Sequence, residues 1–213
     1  MSQYENTAGV EEHETGHVHR DDIGARMGMW LFLFTEVLLF GGLFLAYAYY
    51  RTKYSQYFHL GGMELDTALG TMNTIILLTS SLTMALSITA IQKGNKILSL
   101  ILQFLTIFLA VSFLINKYFE WAHHYDMGLF PGLDALKNSP DGQIMFYGLY
   151  YVMTGLHGIH VIIGIVIIMF SMVFVVKNKI TQDENVILEN TGLYWHLVDL
   201  IWIFLFPLFY LIQ

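Results

Sequence analysis

Cysteine is absent from the 213 residues, proline occurs only three times, and charged residues make up 13%. The first absence removes disulfides, thiolate metal sites, iron–sulfur clusters and cysteine nucleophiles together, and it leaves the redox compartment unread. The third is more telling. Soluble domains carry about 25% charged residues, so this chain has too little polar surface to cover a globule in water. Basic residues are scarce too: Lys and Arg together number 10 and the net charge is −7, which argues against nucleic acid as a partner. No phosphate-binding loop, dinucleotide fingerprint or nucleophile elbow is present. The first apolar run begins near Met27, too deep and too long for a cleavable signal.

What fills the space is apolar: 55% of the residues are hydrophobic. A helix needs about 20 such residues to cross roughly 30 Å of hydrocarbon. Five runs meet that length, over 27–50, 69–91, 97–118, 144–176 and 192–212. None alternates polar and apolar residues as a membrane barrel strand does. The predicted fold class is therefore all-α, an integral membrane bundle of five transmembrane helices. Residues 1–26 form a polar, acidic tail and 27–213 a single membrane domain. Only Gln92-Lys93-Gly94-Asn95-Lys96 separates the second and third runs, which predicts an antiparallel hairpin turned at a glycine. Placing the N-terminus in the cytoplasm puts Arg20, Arg26, Lys93, Lys96, Lys177 and Lys179 inside, against Arg51, Lys53, Lys117 and Lys137 outside. The excess of basic residues inside favours that orientation, and an odd number of spans then puts the C-terminus in the periplasm.

Polar groups at membrane depth are costly, by about 2.5–3.5 kcal/mol for a charge, and each needs a reason. Glu36 lies about ten residues into the first run. It reads either as a proton-active or partner-binding carboxylate or as a carboxyl buried and hydrogen-bonded for packing alone. His157 and His160 stand three residues apart in the fourth run, and His196 and Asp199 repeat that spacing in the fifth. Such a set could ligate a metal or haem. The favoured reading is a structural polar lock, in which these four side chains satisfy one another across two helices, with Asp199 the preferred acceptor for a histidine. Gly155, Gly158 and Gly164 would let those helices approach. Asn73, Ser80 and Ser87 recur at heptad spacing in the second run and read as an interhelical hydrogen-bonding face. His13-Glu14-Thr15-Gly16-His17 matches the zinc-protease pattern, but it lies in a tail without apolar periodicity and carries no such chemistry.

Four segments resemble one known family. They are Met27-Gly28-Met29-Trp30-Leu31-Phe32-Leu33-Phe34-Thr35-Glu36-Val37, Met72-Asn73-Thr74, Thr154-Gly155-Leu156-His157-Gly158-Ile159-His160-Val161 and Tyr194-Trp195-His196-Leu197-Val198-Asp199. Together they resemble subunit III of the haem-copper terminal oxidases, and the similarity extends from about Gly16 to the end of the chain. The resemblance implies a non-catalytic accessory subunit of a cytochrome c oxidase in a bacterial cytoplasmic membrane. It implies partners, namely subunit I directly, then subunit II and other respiratory subunits. Haem and copper belong to those partners, and this chain is expected to bind no cofactor beyond a phospholipid. It also implies a supporting role in proton uptake and oxygen access, with Glu36 as the family's intramembrane carboxylate. His17, Arg26 and Lys177 become lipid-headgroup candidates, and Glu120 looks like the acid that ends the span before the long outside loop. Mitochondrial members have seven spans, and this chain matches the last five, so the resemblance implies that the lipid cleft between the first two and the remaining five is open here or filled by another subunit. Lys117 also stands where the family pattern leads us to expect Gln. A quinol oxidase subunit III is the alternative. A proton-coupled transporter is disfavoured by the lack of internal repeats and by having Pro207 as the only proline in a span.

Overall fold

The computed structural model describes residues 22–182 and 184–212. Among them no strand occurs, and five helices are long and apolar enough to cross a membrane. The chain runs through α1 (Asp22–Lys53), α2 (Ser55–Met63), α3 (Thr67–Gln92), α4 (Lys96–Asp126), α5 (Asp134–Lys137), α6 (Asp141–Val176) and α7 (Val186–Phe206). α7 passes directly into a π turn over Pro207–Leu211, closed by the Ile212 N–H donating to the Pro207 carbonyl at 2.9 Å.

The helix ends follow ordinary capping chemistry. Asp66 accepts from the Ala68 and Leu69 amides at the start of α3, and Asn95 accepts from the Leu98 amide at the start of α4. Between α3 and α4, Gly94 takes φ +75° and the Asn95 amide closes back on Ala90 at 2.8 Å. This is the hairpin turn read from the sequence.

The spans run longer than the sequence reading, α1 from Asp22 and α7 from Val186, and two differences shape the fold. The third span does not stop near Tyr118 but continues to Asp126, because Glu120 and His124 keep a buried face going beyond the purely apolar stretch. The connection after the first span contains a further helix, α2. It is held because Phe58 packs edge-on against Phe146, with ring centroids 5.4 Å apart, while Gly61 leaves room for the same ring.

α6 and α7 form the central pair. The α3–α4 hairpin packs on one flank, α4 against α6 and α3 against α7, and α1 packs across the other flank on both α6 and α7. One end of the bundle gathers the start of α1, the α3–α4 turn and the α6–α7 connection. The opposite end carries α2, α5 and the π turn.

Lipid offers no hydrophobic drive for helices to associate, so close packing and hydrogen bonds must do it. The expected α3 stripe does this. Asn116 donates to Asn73 at 2.8 Å, Thr83 and Thr106 share a 2.7 Å bond, and the indoles of Trp195 and Trp202 donate to Ser80 at 3.1 Å and Thr74 at 3.0 Å. Ser87 instead bonds its own helix, at the Met84 carbonyl. The glycines of α6 divide their roles. A Cβ on Gly164 would stand 2.7 Å from the Trp195 ring, whereas Gly155 faces Trp121 of α4 and Gly158 meets open space.

Candidate functional site: an intramembrane carboxylate and its neighbours

Glu36 is not alone. Its Oε2 lies 2.8 Å from Nε2 of His160, joining α1 to α6 at membrane depth. His160 Nδ1 is 2.7 Å from the Leu156 carbonyl, which can only accept, so Nδ1 carries a proton. A single further proton is then shared between Nε2 and Glu36. It makes the pair either a neutral acid with a neutral imidazole or a carboxylate with an imidazolium, and both forms have zero net charge. Phe40 sets its ring edgewise to His160 at 5.3 Å, and Tyr194 donates its hydroxyl to the His160 carbonyl at 3.2 Å. The site is a proton-holding pair in an apolar wall, with the side chains of His160 and Glu36 only 10% and 14% exposed.

The four-residue polar lock is corrected here. His157 does not bond Asp199. It sits between Phe113, at 5.6 Å, and Trp202, at 5.2 Å, with both ring nitrogens enclosed and without a hydrogen-bond partner. The reason is angular. Three residues turn a helix by about 300°, so His157 and His160 diverge by roughly 60° and reach different neighbours. His157 meets α4 and α7, while His160 meets α1. On α7, Nδ1 of His196 is 2.7 Å from the Ser81 hydroxyl of α3. That hydroxyl also approaches Asp199, whose two oxygens are otherwise enclosed without a partner. The expected pairing of a histidine with Asp199 does not form. Among the described residues no group of three or more His, Asp or Glu side chains converges as a metal site would require.

Another polar centre escaped the sequence reading. Lys117, counted there as a free outside charge, is buried, and its ammonium donates to Glu120 at 3.0 Å, Tyr150 at 3.0 Å and Tyr210 at 2.9 Å. Both phenols donate in turn to the other Glu120 oxygen, Tyr150 at 2.6 Å. All three ammonium protons and both phenol protons therefore have acceptors, which is the condition for tolerating a buried ion pair. The π turn contributes Tyr210, and α4, α6 and the end of α7 are tied at one point. The signal was available in the i,i+3 spacing of Lys117 and Glu120, which places them on one helix face. Beside this cluster, Glu64, Asp66, His123 and His124 line a groove of about 360 Å³, and Tyr147 donates to Glu64.

The headgroup candidates gather at the end of the bundle where α1 begins. Arg26 pairs with Glu189 at 2.9 Å, and Lys177 is exposed at the end of α6. His17 lies outside the described residues, as does most of the acidic tail. Just inside this end, Met29, Phe32, Ile163, Ile167, Ile187 and Tyr194 line an apolar groove of about 300 Å³.

Comparison with known proteins matches this arrangement to one family. The family model for cytochrome c oxidase subunit III matches residues 6–213. Cytochrome c oxidase subunit 3 of Schizophyllum commune is 35% identical over 202 residues, covering 91% of this chain and 70% of that protein. The protein of the same name from Thermostichus vulcanus is 32% identical over 201 residues, covering 92% of this chain and 91% of its own length. A "Heme-copper oxidase subunit I+III" from Aeropyrum pernix is 33% identical over 194 residues, and the match spans 22% of that longer protein. With residues 6–213 matched by the family model, and at such identity to relatives covered over 70% and 91% of their own length, the chain belongs to the cytochrome c oxidase subunit III family of the haem-copper oxidases.

Proposed function

We propose that this chain is the non-catalytic third subunit of a cytochrome c-type haem-copper oxidase in a bacterial cytoplasmic membrane. The complex reduces oxygen to water and pumps protons, with its haem and copper in the partner subunits. Here the subunit packs directly on subunit I, as the I+III relative supports by carrying both parts in one chain. Its own contribution is to stabilise that subunit and to support proton uptake and oxygen access.

The observation that carries this reading is the Glu36–His160 pair. A carboxylate in a membrane helix is retained at a cost, and here it shares a proton with an imidazole at 2.8 Å. The pair can take up or release that proton with little rearrangement, because Leu156 and Phe40 already orient the ring. The groove beside Met29 and Phe32 would take part of a phospholipid acyl chain against Ile163 and Ile167, with the headgroup toward Arg26 and Lys177 at the same end. His17 belongs with those headgroup contacts by resemblance.

Purification of the assembled complex tests the assignment, through its haem spectrum, its subunit composition and its oxidation of reduced cytochrome c against a quinol. Oxidation of cytochrome c is expected, whereas oxidation of the quinol alone would make this the quinol-oxidase version. Glu36→Gln preserves size and hydrogen bonding but removes the ionisable oxygen. We expect it to assemble normally and to lower turnover or hasten its decline. Unchanged turnover in an assembled Glu36→Gln complex would reduce Glu36 to a packing group.

A further inference from the structure

We infer that the face formed by α3 and α7 is the surface on which this subunit docks to the catalytic subunit, with His196 as its polar contact in mid-membrane. The inference deepens the reading above and rests on it.

His196 stands ten residues from the start of α7, about 15 Å along the helix and hence near the middle of a roughly 30 Å hydrocarbon layer. Its Nδ1 is occupied by Ser81, but Nε2 is not enclosed and has no partner among the described residues. Neither water nor a lipid headgroup reaches that depth. An imidazole nitrogen left facing acyl chains forfeits its hydrogen bond, and intramembrane polar groups accordingly face protein or a wet cavity. Asp199 lies one turn further, 3% exposed and approached, among the described residues, only by the Ser81 hydroxyl, so the open nitrogen adjoins a polar group that this chain satisfies only in part.

The opposite face is different. The outward side of α6 presents Ile159, Ile162, Ile163, Val166, Met169 and Phe170, all exposed and all apolar, as lipid contact requires. The ionisable groups near that side are paired within this chain: Glu36 with His160, and Lys117, which lines a groove with Ile159 and Ile162, with Glu120. Around His196, by contrast, Leu78 and Leu82 of α3 and Leu200 and Ile203 of α7 form an exposed apolar frame around a polar centre. That pattern fits a transmembrane helix bringing a hydroxyl or amide side chain to Nε2, since such a group serves either tautomer of the ring.

The absence of cysteine makes the test direct, because any introduced thiol is unique in this subunit. Leu200→Cys and Ile162→Cys are 48% and 52% exposed in the native chain and lie equally far from the same end of the bundle, one on each face. Each is labelled with a benzophenone maleimide in membranes, illuminated and purified as the whole complex, and the adducts are identified by mass spectrometry. The expected result is an adduct with the haem-bearing subunit from position 200 and none from position 162. An adduct from 162 instead, an adduct between two copies of this chain, or no protein adduct from position 200 in a complex that still copurifies with haem would overturn the docking face and leave the proposed function standing. Failure of any haem-bearing subunit to copurify would overturn both. As a second measurement, His196→Leu should lose subunit III from the complex at lower detergent than the parent. Equal retention would count against the polar contact.

Discussion

At the scale of single residues, Lys117 is a buried charge whose bonds are all made inside the chain. Removing one partner of a buried, fully bonded pair leaves the other charge uncompensated. Lys117→Met is therefore expected to destabilise the subunit by about 3–5 kcal/mol. Adding Glu120→Gln should recover much of that loss, because the amide carbonyl still accepts from Tyr150 and Tyr210 while the charge disappears. Thermal denaturation of the purified complex reads both variants. Two glycines offer a matched contrast. Gly164→Ala drives a methyl to 2.7 Å from Trp195, an overpacking worth about 1–3 kcal/mol, whereas Gly158→Ala meets nothing and should leave the midpoint unchanged. Residue chemistry was also where the sequence was easiest to misread. It marked His157, His160, His196 and Asp199 as polar groups needing partners, but a linear chain does not say which helix each one faces. Pairings that join residues 36 and 160, or 81 and 196, arise only once the packing order of helices is known.

At the scale of elements, the spans were legible because length and apolarity are one-dimensional properties. What was not legible was how the polar stripe of α3 meets the indoles of α7, or that a short helix stands between the first two spans. α2 is too short and too mixed to show a period, and it exists because Phe58 and Gly61 meet Phe146. α1 is the most weakly embedded of the five long helices, with only 11% of its apolar window buried in this chain. Among its polar ties are Glu36 to His160, Arg26 to Glu189, the Asn190 amide donating to the Ala25 carbonyl at 3.3 Å, and the Tyr47 hydroxyl donating to the Leu208 carbonyl at 2.6 Å. Cutting two of them, with Glu36→Ala and Tyr47→Phe together, should speed hydrogen exchange in α1 peptides while the α3–α4 hairpin stays protected. Uniform acceleration across all helices would instead show that α1 does not open as a separate unit.

For the whole molecule, an odd number of spans puts the start of α1 and the end of the π turn on opposite sides of the membrane. With the N-terminus cytoplasmic, a thiol at Asn138→Cys should react with an impermeant maleimide applied from outside and one at Gln182→Cys should not. Reversed labelling would invert the orientation. The balance of basic residues that suggested this arrangement loses one member, since Lys117 is not a loop charge at all but half of an internal pair.

That pair has an electrical consequence. A membrane potential does work on net charge, about 2.3 kcal/mol per elementary charge per 100 mV. Lys117 and Glu120, 3.0 Å apart, sum to zero, and the two phenols add nothing. The field can exert only a small torque on their dipole. However strongly the membrane is energised, voltage does not pull on the point where α4, α6 and the π turn are joined, and a variant that removes only one of the two charges would make that joint respond to voltage.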